Sequence, residues 1–175
     1  MSNQFDIEEE CFMLAEEALA NGEVPVGAVI VDQTNEIIAK ARNKCNQTKN
    51  PLSHAEVLCI DQVISRCNIN NESFEDVFKE CNLLVTIEPC IMCARLLRKL
   101  KFNKVIYGAA NDRFGGCGTV FNVNDNESIG DPQLECVFGG LDSVRAIGLI
   151  KRFYEGENPN APQPKPKRIK NKTSS

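Results

Sequence analysis

The chain has 175 residues, which is enough for one hydrophobic core of ordinary size and too few to suggest two full domains. Its first residues are polar and acidic, and nowhere do eighteen apolar residues occur together, so we expect no secretory signal, no membrane span and a soluble intracellular protein, in the nucleus, the cytoplasm or both. The formal charge of −4 is uneven: residues 151–175 carry seven Lys/Arg and two Glu, or +5, so the residues before them carry −9.

The first half of the chain predicts a helix, a hairpin of two strands and a second helix. Apolar residues at three- and four-residue spacing predict an amphipathic helix that Asn21 and Gly22 end. Two β-branched runs separated by "QT" predict a tight hairpin, and a polar loop follows. In order, the segments are residues 5–21 (helix), 24–32 and 35–43 (strands), 44–52 (loop), and a helix from Ser53 or His54 with Val57, Leu58, Ile60, Val63 and Ile64 as its buried stripe.

The second half predicts strands and helices in alternation after a polar insertion with one short helical turn. A helix is expected directly after Pro89, because proline suits the first helical position. In order, the segments are residues 68–80 (insertion), 82–88 (strand), 90–100 (helix), 104–109 (strand), 111–125 (glycine-punctuated loop), 133–139 (strand), 141–156 (helix) and 158–175 (basic, disordered tail). This order predicts a mixed five-stranded sheet covered on both faces, a three-layer α/β/α fold.

The nine cysteines are predicted to be reduced thiols, because their number is odd and no signal peptide is present. Those that fall within apolar patterns are expected to be small core residues, namely Cys11, Cys59, Cys81 and Cys136. Cys90 and Cys93 differ, because their C-x-x-C spacing at the start of a helix lets both sulfurs point to one place. The helix dipole lowers the pKa of a thiol there, and thiolates bind zinc.

His54, the one histidine of the chain, can be the third ligand. A structural zinc site needs four protein ligands, whereas a catalytic site needs three and an open position for water. The sequence therefore favours an open catalytic site, unless another cysteine joins. A redox pair is the other interpretation of the C-x-x-C, but it leaves His54 and Glu56 unexplained.

Glu56 stands two residues after His54, and on an ideal helix the two side chains would point nearly opposite ways. We therefore expect His54 at the irregular edge of the helix, with Glu56 beside a metal-activated water whose proton it takes and returns to the substrate. Taken alone, a single histidine is most often a packed or solvated residue, and a first-turn glutamate most often favours the helix dipole.

His-x-Glu followed by Pro-Cys-x-x-Cys resembles the signature of the zinc nucleobase deaminases, the cytidine deaminase-like superfamily. More narrowly, residues 8–155 resemble the tRNA adenosine deaminases that make inosine at the anticodon wobble position. The segments that carry this resemblance are "VPVGAVIV", "ARNKCNQTKN", "HAEVLCIDQ", "VTIEPCIMCA" and "NDRFGGCGTVFN"; the last three, with "FYEGENPNAP", are similar to the catalytic subunits of the eukaryotic two-subunit enzymes. The resemblance implies a zinc-dependent deaminase domain over residues 1–157.

The resemblance also implies roles for single residues. Zinc would be held by His54, Cys90 and Cys93, protons would be moved by Glu56, the base would be held by Asn43, and the pocket wall would include Val26 and the backbone of Ala55. By itself, an asparagine after a strand is more often a turn residue. The implied reaction is the hydrolysis of adenosine to inosine, with ammonia as the leaving group.

Two partners are implied as well. One is a related subunit that lacks the catalytic glutamate, with the segments around "CARLL" and "FGGCG" as the expected interface. The other is the anticodon loop of tRNA, whose target base is splayed out. Because the body is acidic, we expect the tail to bind phosphates, unless it is only a solvated terminus. Its cations are Lys165, Lys167, Arg168, Lys170 and Lys172.

Two rival functions share most of these features. Deaminases of free cytosine, deoxycytidylate or guanine derivatives have almost the same metal signature, and only the flanking motifs and the tail argue against them. A non-catalytic, zinc-stabilised RNA-binding subunit is the second rival, and the presence of Glu56 argues against it.

Overall fold

The structure, a computed structural model, describes residues 4–124, 128 and 130–155. The helices are α1 (Gln4–Ala20), α2 (Cys45–Thr48), α3 (Ala55–Asn70), α4 (Phe74–Lys79), α5 (Ile91–Lys99) and α6 (Ser143–Glu155). The strands are β1 (Gly27–Val31), β2 (Ile37–Arg42), β3 (Asn82–Ile87), β4 (Lys104–Ala109) and β5 (Glu135–Phe138). The proposed tail, residues 158–175, lies outside the described residues.

The five strands form one mixed sheet in the order β2-β1-β3-β4-β5. β1 is antiparallel to both of its neighbours, whereas β3, β4 and β5 run parallel to one another. The parallel pair β3 and β4 is joined through α5, which therefore begins just beyond the carboxyl end of β3. Ligand sites in such sheets gather at this edge.

The sheet separates two apolar layers, which confirms the predicted three-layer α/β/α fold. Successive residues of β1 point to opposite faces: Ala28 and Ile30 pack with α3, α4 and α5, whereas Val29 and Val31 pack with α1 and α6. α1 lies so close to β1 that a Cβ at Gly27 would come within 2.0 Å of the Cys11 carbonyl oxygen, so only glycine fits there.

The predicted hairpin is correct in its strands and wrong in its turn. The connection spans residues 32–36 instead of two residues, and the register shifts between Ile30 and Val31. Asp32 organises this turn, because its Oδ1 accepts hydrogen bonds from the backbone N–H groups of Thr34 and Glu36 at 2.8 and 3.0 Å. A side-chain cap of this kind replaces the tight two-residue turn.

One segment that the sequence predicts as a loop contains a helix, and the short helical turn predicted in the polar insertion is confirmed. The loop over residues 44–52 includes α2, and the insertion over residues 68–80 includes the end of α3 and the two turns of α4. The buried stripe of α3 is also shifted, because the predicted Val57, Leu58 and Ile64 are only partly buried. The buried positions of α3 are Ala55, Glu56, Cys59, Ile60, Val63 and Cys67.

None of the described helices is long and apolar enough to cross a lipid bilayer.

Candidate metal centre and its surroundings

His54 is the N-cap residue of α3, and its backbone is extended, with φ −71° and ψ 152°. Because the helix begins only at Ala55, the imidazole and the side chain of Glu56 do not follow ideal helical geometry. The expected position of His54 at the irregular edge of the helix is therefore confirmed.

The two cysteines lie at the start of α5. Cys90 is the N-cap residue, with φ −66° and ψ 166°, and Cys93 lies in the first turn and is fully buried. Pro89 precedes the N-cap, so the prediction that it takes the first helical position is wrong. The spacing still brings both sulfurs to one side, as predicted, where they face the His54 ring.

The three side chains form a compact group of metal-ligating atoms. His54 Nδ1 lies 3.7 Å from Cys90 Sγ and 3.5 Å from Cys93 Sγ, and all three ligand atoms lie within 4.8 Å of one another. Zinc bonds of about 2.3 Å to sulfur and about 2.0 Å to nitrogen, at a tetrahedral angle, separate the two ligand atoms by about 3.5 Å. Both nitrogen–sulfur distances therefore match those expected around a zinc ion.

Hydrogen bonds among the three side chains shift the pKa values of the two thiols in a way that favours binding of a metal cation. A hydrogen bond from Cys93 is the main cause that lowers the pKa of Cys90 to about 4, and a hydrogen bond with His54 lowers it further, whereas burial acts in the opposite direction. The hydrogen bond between the two cysteines, together with burial, raises the pKa of Cys93. A lowered pKa at Cys90 favours the thiolate that binds a metal ion, and a divalent ion can displace the proton of the second thiol.

Glu56, the second residue of α3, is only 4% exposed. Its carboxylate is not a member of the ligand group formed by the described residues, although it shares a hydrogen bond with the Cys93 thiol. Burial is the main cause that raises the pKa of its carboxyl group. A carboxyl group whose pKa is raised can accept and return protons near neutral pH.

Asn43 follows β2 and is 6% exposed, which separates it from an ordinary solvent-exposed turn residue. Its backbone N–H donates to the carbonyl oxygen of Val26 at 3.0 Å, so Val26 and Asn43 are neighbours. Ala55 is fully buried at the first position of α3, next to His54 and Glu56. These neighbours are compatible with the pocket roles predicted for them.

Glu23 is a buried acidic residue that the sequence analysis missed. It is 0% exposed, and its carboxylate accepts hydrogen bonds from the Asn43 side-chain amide at 3.1 Å and from the backbone N–H groups of Asn46 and Gln47 at 3.1 and 2.7 Å. These contacts explain why α2 forms. The only signal in the sequence was an acidic residue directly before the apolar run "VPVGAVIV".

Glu88, two residues before Cys90, is a second buried carboxylate that the analysis missed. Its two oxygens accept hydrogen bonds from the backbone N–H groups of Asn111, Cys117 and Thr119 at 2.9, 2.9 and 3.2 Å. Glu88 thereby attaches the glycine-punctuated loop to the end of β3. No residue can replace Gly115 without moving this carboxylate, because a Cβ there would come within 2.3 Å of Glu88 Oε2.

The same loop carries exposed apolar side chains beside the metal-ligating group. Phe114 is 61% exposed, and its carbonyl oxygen accepts a hydrogen bond from Ile91 N at the start of α5. We use the term apolar rim for the exposed apolar residues of α5 and this loop, which are Ile91, Met92, Phe114, Val120 and Phe121. Within the predicted interface around "CARLL", Ala94 and Leu97 are core residues, so the exposed apolar side chains of α5 are those of Ile91 and Met92.

A sheet of this order, a His/Cys/Cys group at the starts of two helices and a buried glutamate beside it together define a zinc-dependent deaminase. The family model for the zinc-binding region of cytidine and deoxycytidylate deaminases matches residues 1–109. The chain belongs to this family.

Relatives place the chain, within this family, among the tRNA-specific adenosine deaminases, and a solved structure shows the same fold. The chain is 49% identical to tRNA-specific adenosine deaminase 2 of Xenopus laevis over 158 residues, which cover 89% of each chain. It is 38% identical to tRNA-specific adenosine deaminase subunit tad2 of Schizosaccharomyces pombe over 170 residues, 94% of this chain and 42% of that protein. A solved structure from a study of tRNA:A34 deaminases matches the fold with a TM-score of 0.69 and 23% identity, over 79% of this chain and all of that one.

Proposed function

We propose that this chain is the catalytic subunit of a heterodimer that converts adenosine to inosine at the wobble position of tRNA anticodons. The observation that carries the proposal is the buried Glu56 beside the His54, Cys90 and Cys93 group, because this arrangement supplies both a metal site and a proton shuttle. The relatives named tRNA-specific adenosine deaminase 2 supply the substrate class.

The cofactor is zinc, and the proposed ligands are His54, Cys90 and Cys93. Three protein ligands leave one tetrahedral position for a small molecule. Zinc in such a site makes water a nucleophile near neutral pH. The N-terminal ends of α3 and α5 both point at the site, so their dipoles favour the thiolate forms of the cysteines.

Glu56 is proposed to move the protons of the reaction. Its carboxylate takes a proton from the water that adds to C6 of adenine and delivers it to the N1 position of the ring. The same carboxylate then passes the proton of the new C6 hydroxyl group to the exocyclic nitrogen, the C6–N bond breaks as the C6 carbonyl forms, and the products are inosine and ammonia. The burial of Glu56 suits this role, because a raised pKa lets the same group act as base and then as acid.

The substrate pocket is proposed to include Asn43, Val26 and the backbone of Ala55. Asn43 offers amide hydrogen-bonding atoms to the base, while Val26 and Ala55 provide apolar walls. The target base must leave the stack of the anticodon loop before it can enter, which costs least in a single-stranded loop.

The partner is proposed to be a related subunit that lacks the catalytic glutamate, and the apolar rim is its proposed contact surface. Exposed aromatic and aliphatic side chains in one patch are typical of interfaces. The deaminase domain is proposed to span residues 1–157. The cations of residues 158–175 are proposed to bind the phosphates of the tRNA, which the acidic body does not attract.

All nine cysteines are free, as predicted, and Cys11, Cys59 and Cys81 are core residues, whereas Cys136 is only partly buried. Reduced thiols suit an intracellular compartment, and we propose the nucleus, the cytoplasm or both.

Deamination of free bases or nucleotides is the second candidate reaction, because the metal-ligating group itself does not distinguish the substrates.

One assay separates the candidates. The chain, purified with its partner subunit, is given either folded tRNA with adenosine at the wobble position or free adenosine, cytidine, deoxycytidylate and guanine. Inosine in the tRNA alone supports the proposal. Turnover of a free base or nucleotide without turnover of tRNA refutes it, and full zinc without any turnover indicates a non-catalytic subunit.

A further inference from the structure

We propose that Glu23 is a positioning residue, which fixes the orientation of the Asn43 side-chain amide and thereby the way the site holds its base. This inference rests on the proposed function, because Asn43 receives its substrate role there. It goes beyond that function by assigning a role to a buried carboxylate that takes no part in the reaction.

The surroundings of Glu23 show that its charge is costly. The residue is 0% exposed, and within residues 4–124, 128 and 130–155 no ion pair joins it to a lysine or arginine. A buried carboxylate without a cationic partner is expensive unless hydrogen bonds replace the lost water. Asn43, Asn46 and Gln47 supply three such bonds.

The hydrogen bonds that hold α2 do not by themselves require a charged side chain at position 23. The two backbone N–H groups, of Asn46 and Gln47, could be satisfied by a neutral oxygen, as serine, threonine and asparagine do at helix starts. The third contact is different, because it is made with the side chain of Asn43, whose Nδ2 donates to Glu23 Oε2 at 3.1 Å.

A carboxylate partner permits only one of the two orientations of an asparagine side-chain amide. The oxygen and nitrogen ends of an asparagine side chain have nearly the same shape, and a neutral partner such as glutamine can bind either end. An ionised carboxylate only accepts, so Glu23 binds Nδ2 and excludes the flipped orientation. The opposite end agrees with this assignment, because Asn43 Oδ1 accepts from the Cys45 thiol at 3.5 Å.

One short segment therefore holds Asn43 twice. The carbonyl oxygen of Val26 accepts from the backbone N–H of Asn43 at 3.0 Å, and Glu23, three residues earlier, accepts from its side chain. Both the position of the residue and the direction of its amide are set before any substrate binds. An amide fixed in advance holds a base without an additional entropy cost on binding.

The amide held in this way lies near the reaction site. The Cys45 thiol that contacts Asn43 also lies 3.7 Å from the carbonyl oxygen of Pro51, and the backbone N–H of Lys44 donates to the carbonyl oxygen of Ser53, the residue before His54, at 3.0 Å. The hydrogen bonds from Glu23 through Asn43 to Cys45 thus connect the buried segment before β1 with the segment that directly precedes His54 and Glu56.

The test is a double-mutant cycle on Glu23 and Asn43, carried out on the full zinc-loaded chain in complex with its partner subunit. Glu23→Gln, Asn43→Ala and the double variant are compared for kcat and KM on tRNA, zinc content and thermal unfolding. Glu10→Gln is the matched control, because Glu10 pairs with Lys40 on β2 at 2.9 Å and the structure shows no contact between it and Asn43.

We expect Glu23→Gln to lower kcat/KM about tenfold and Asn43→Ala to lower it about 10- to 100-fold, with zinc content unchanged. If Glu23 acts through Asn43, the double variant loses no more than Asn43→Ala alone. Unchanged kinetics for Glu23→Gln, or losses that multiply in the double variant, would overturn the inference. If Glu23→Gln does not fold, Glu23→Asp replaces it, because it keeps the charge and withdraws the carboxylate from Asn43.

A second measurement does not depend on catalysis. Slow hydrogen exchange of the Asn43 side-chain amide, followed by NMR, should be lost in Glu23→Gln and kept in Glu10→Gln. If the Asn43 amide exchanges equally fast in the parent protein, Glu23→Gln and Glu10→Gln, the inference is wrong, even if the protein deaminates tRNA. Conversely, protection that depends on Glu23 in a protein that does not deaminate tRNA would leave the positioning role intact and refute the proposed function.

Discussion

His54 and Cys90 occupy the same structural position in two different helices: each is an N-cap residue with an extended backbone, and His54 Nδ1 lies 3.7 Å from Cys90 Sγ. The two helix starts therefore converge on one point. Each contributes the positive end of a helix dipole, which stabilises negative charge on the sulfurs. This convergence positions a three-ligand metal site with Glu56 beside it.

The first prediction concerns the metal. Cys90→Ala and Cys93→Ala should each lose most of the bound zinc, because two remaining ligands hold zinc poorly, and both variants should unfold at a lower temperature. Metal content is measured by atomic absorption on protein purified without added zinc. Cys136→Ala is the matched control, since Cys136 lies on β5 outside the ligand group and should keep one equivalent. A Cys90→Ala protein with a full equivalent of zinc would show that the ligand assignment is wrong.

The second prediction separates chemistry from binding. Glu56→Ala should keep its zinc and its affinity for tRNA and lose deamination by about 10²–10⁴-fold or more, because the proton shuttle is missing while the ligands remain. Glu56→Gln, which keeps the volume of this buried side chain, should be equally inactive. Inosine formation in tRNA and zinc content are measured on the same preparation. Substantial turnover in either variant would assign the base role to another residue.

The elements that the sequence predicted well are those with a strong apolar period. The five strands and the long helices α1, α3, α5 and α6 lie where apolar spacing placed them, because burial against the sheet and local periodicity favour the same structure. The metal-ligating group was predictable for a related reason. The C-x-x-C spacing and the His-x-Glu spacing are local patterns, and at the start of a helix residues at these spacings place their side chains close together.

The features that the sequence did not predict depend on contacts between distant segments. The short helix α2 has no apolar period and is held by Glu23, more than twenty residues earlier. Glu88 holds a loop that begins twenty-three residues later. Neither carboxylate could be distinguished from a solvated acidic residue, because only the fold brings its backbone partners to it.

The third prediction tests the role of Glu88 in holding the glycine-punctuated loop. Gly115→Ala should destabilise the protein by about 1–3 kcal/mol, because the added Cβ would displace the Glu88 carboxylate that binds the loop. Gly148→Ala is the matched control: Gly148 lies within α6 with open space around its Cα, so alanine should be neutral or stabilise by up to about 1 kcal/mol. Urea unfolding of both variants gives the comparison. Equal midpoints for Gly115→Ala and the parent protein would mean that the loop adapts at no cost.

The last prediction concerns the basic tail, which lies outside the described residues. Truncation after Pro164 removes Lys165, Lys167, Arg168, Lys170 and Lys172 and should weaken tRNA binding without changing zinc content. Binding through such cations releases counterions, so the affinity of the intact chain should fall more steeply with salt, by about 0.7–0.9 in logarithmic slope for each phosphate contact. Both proteins are titrated with tRNA at several salt concentrations, in complex with the partner subunit. Truncation after Thr173, which removes only two neutral serines, is the control and should leave the slope unchanged. Identical slopes and affinities for all three proteins would show that the tail is a solvated terminus, and the phosphates would then have to be bound by the partner and the acidic body.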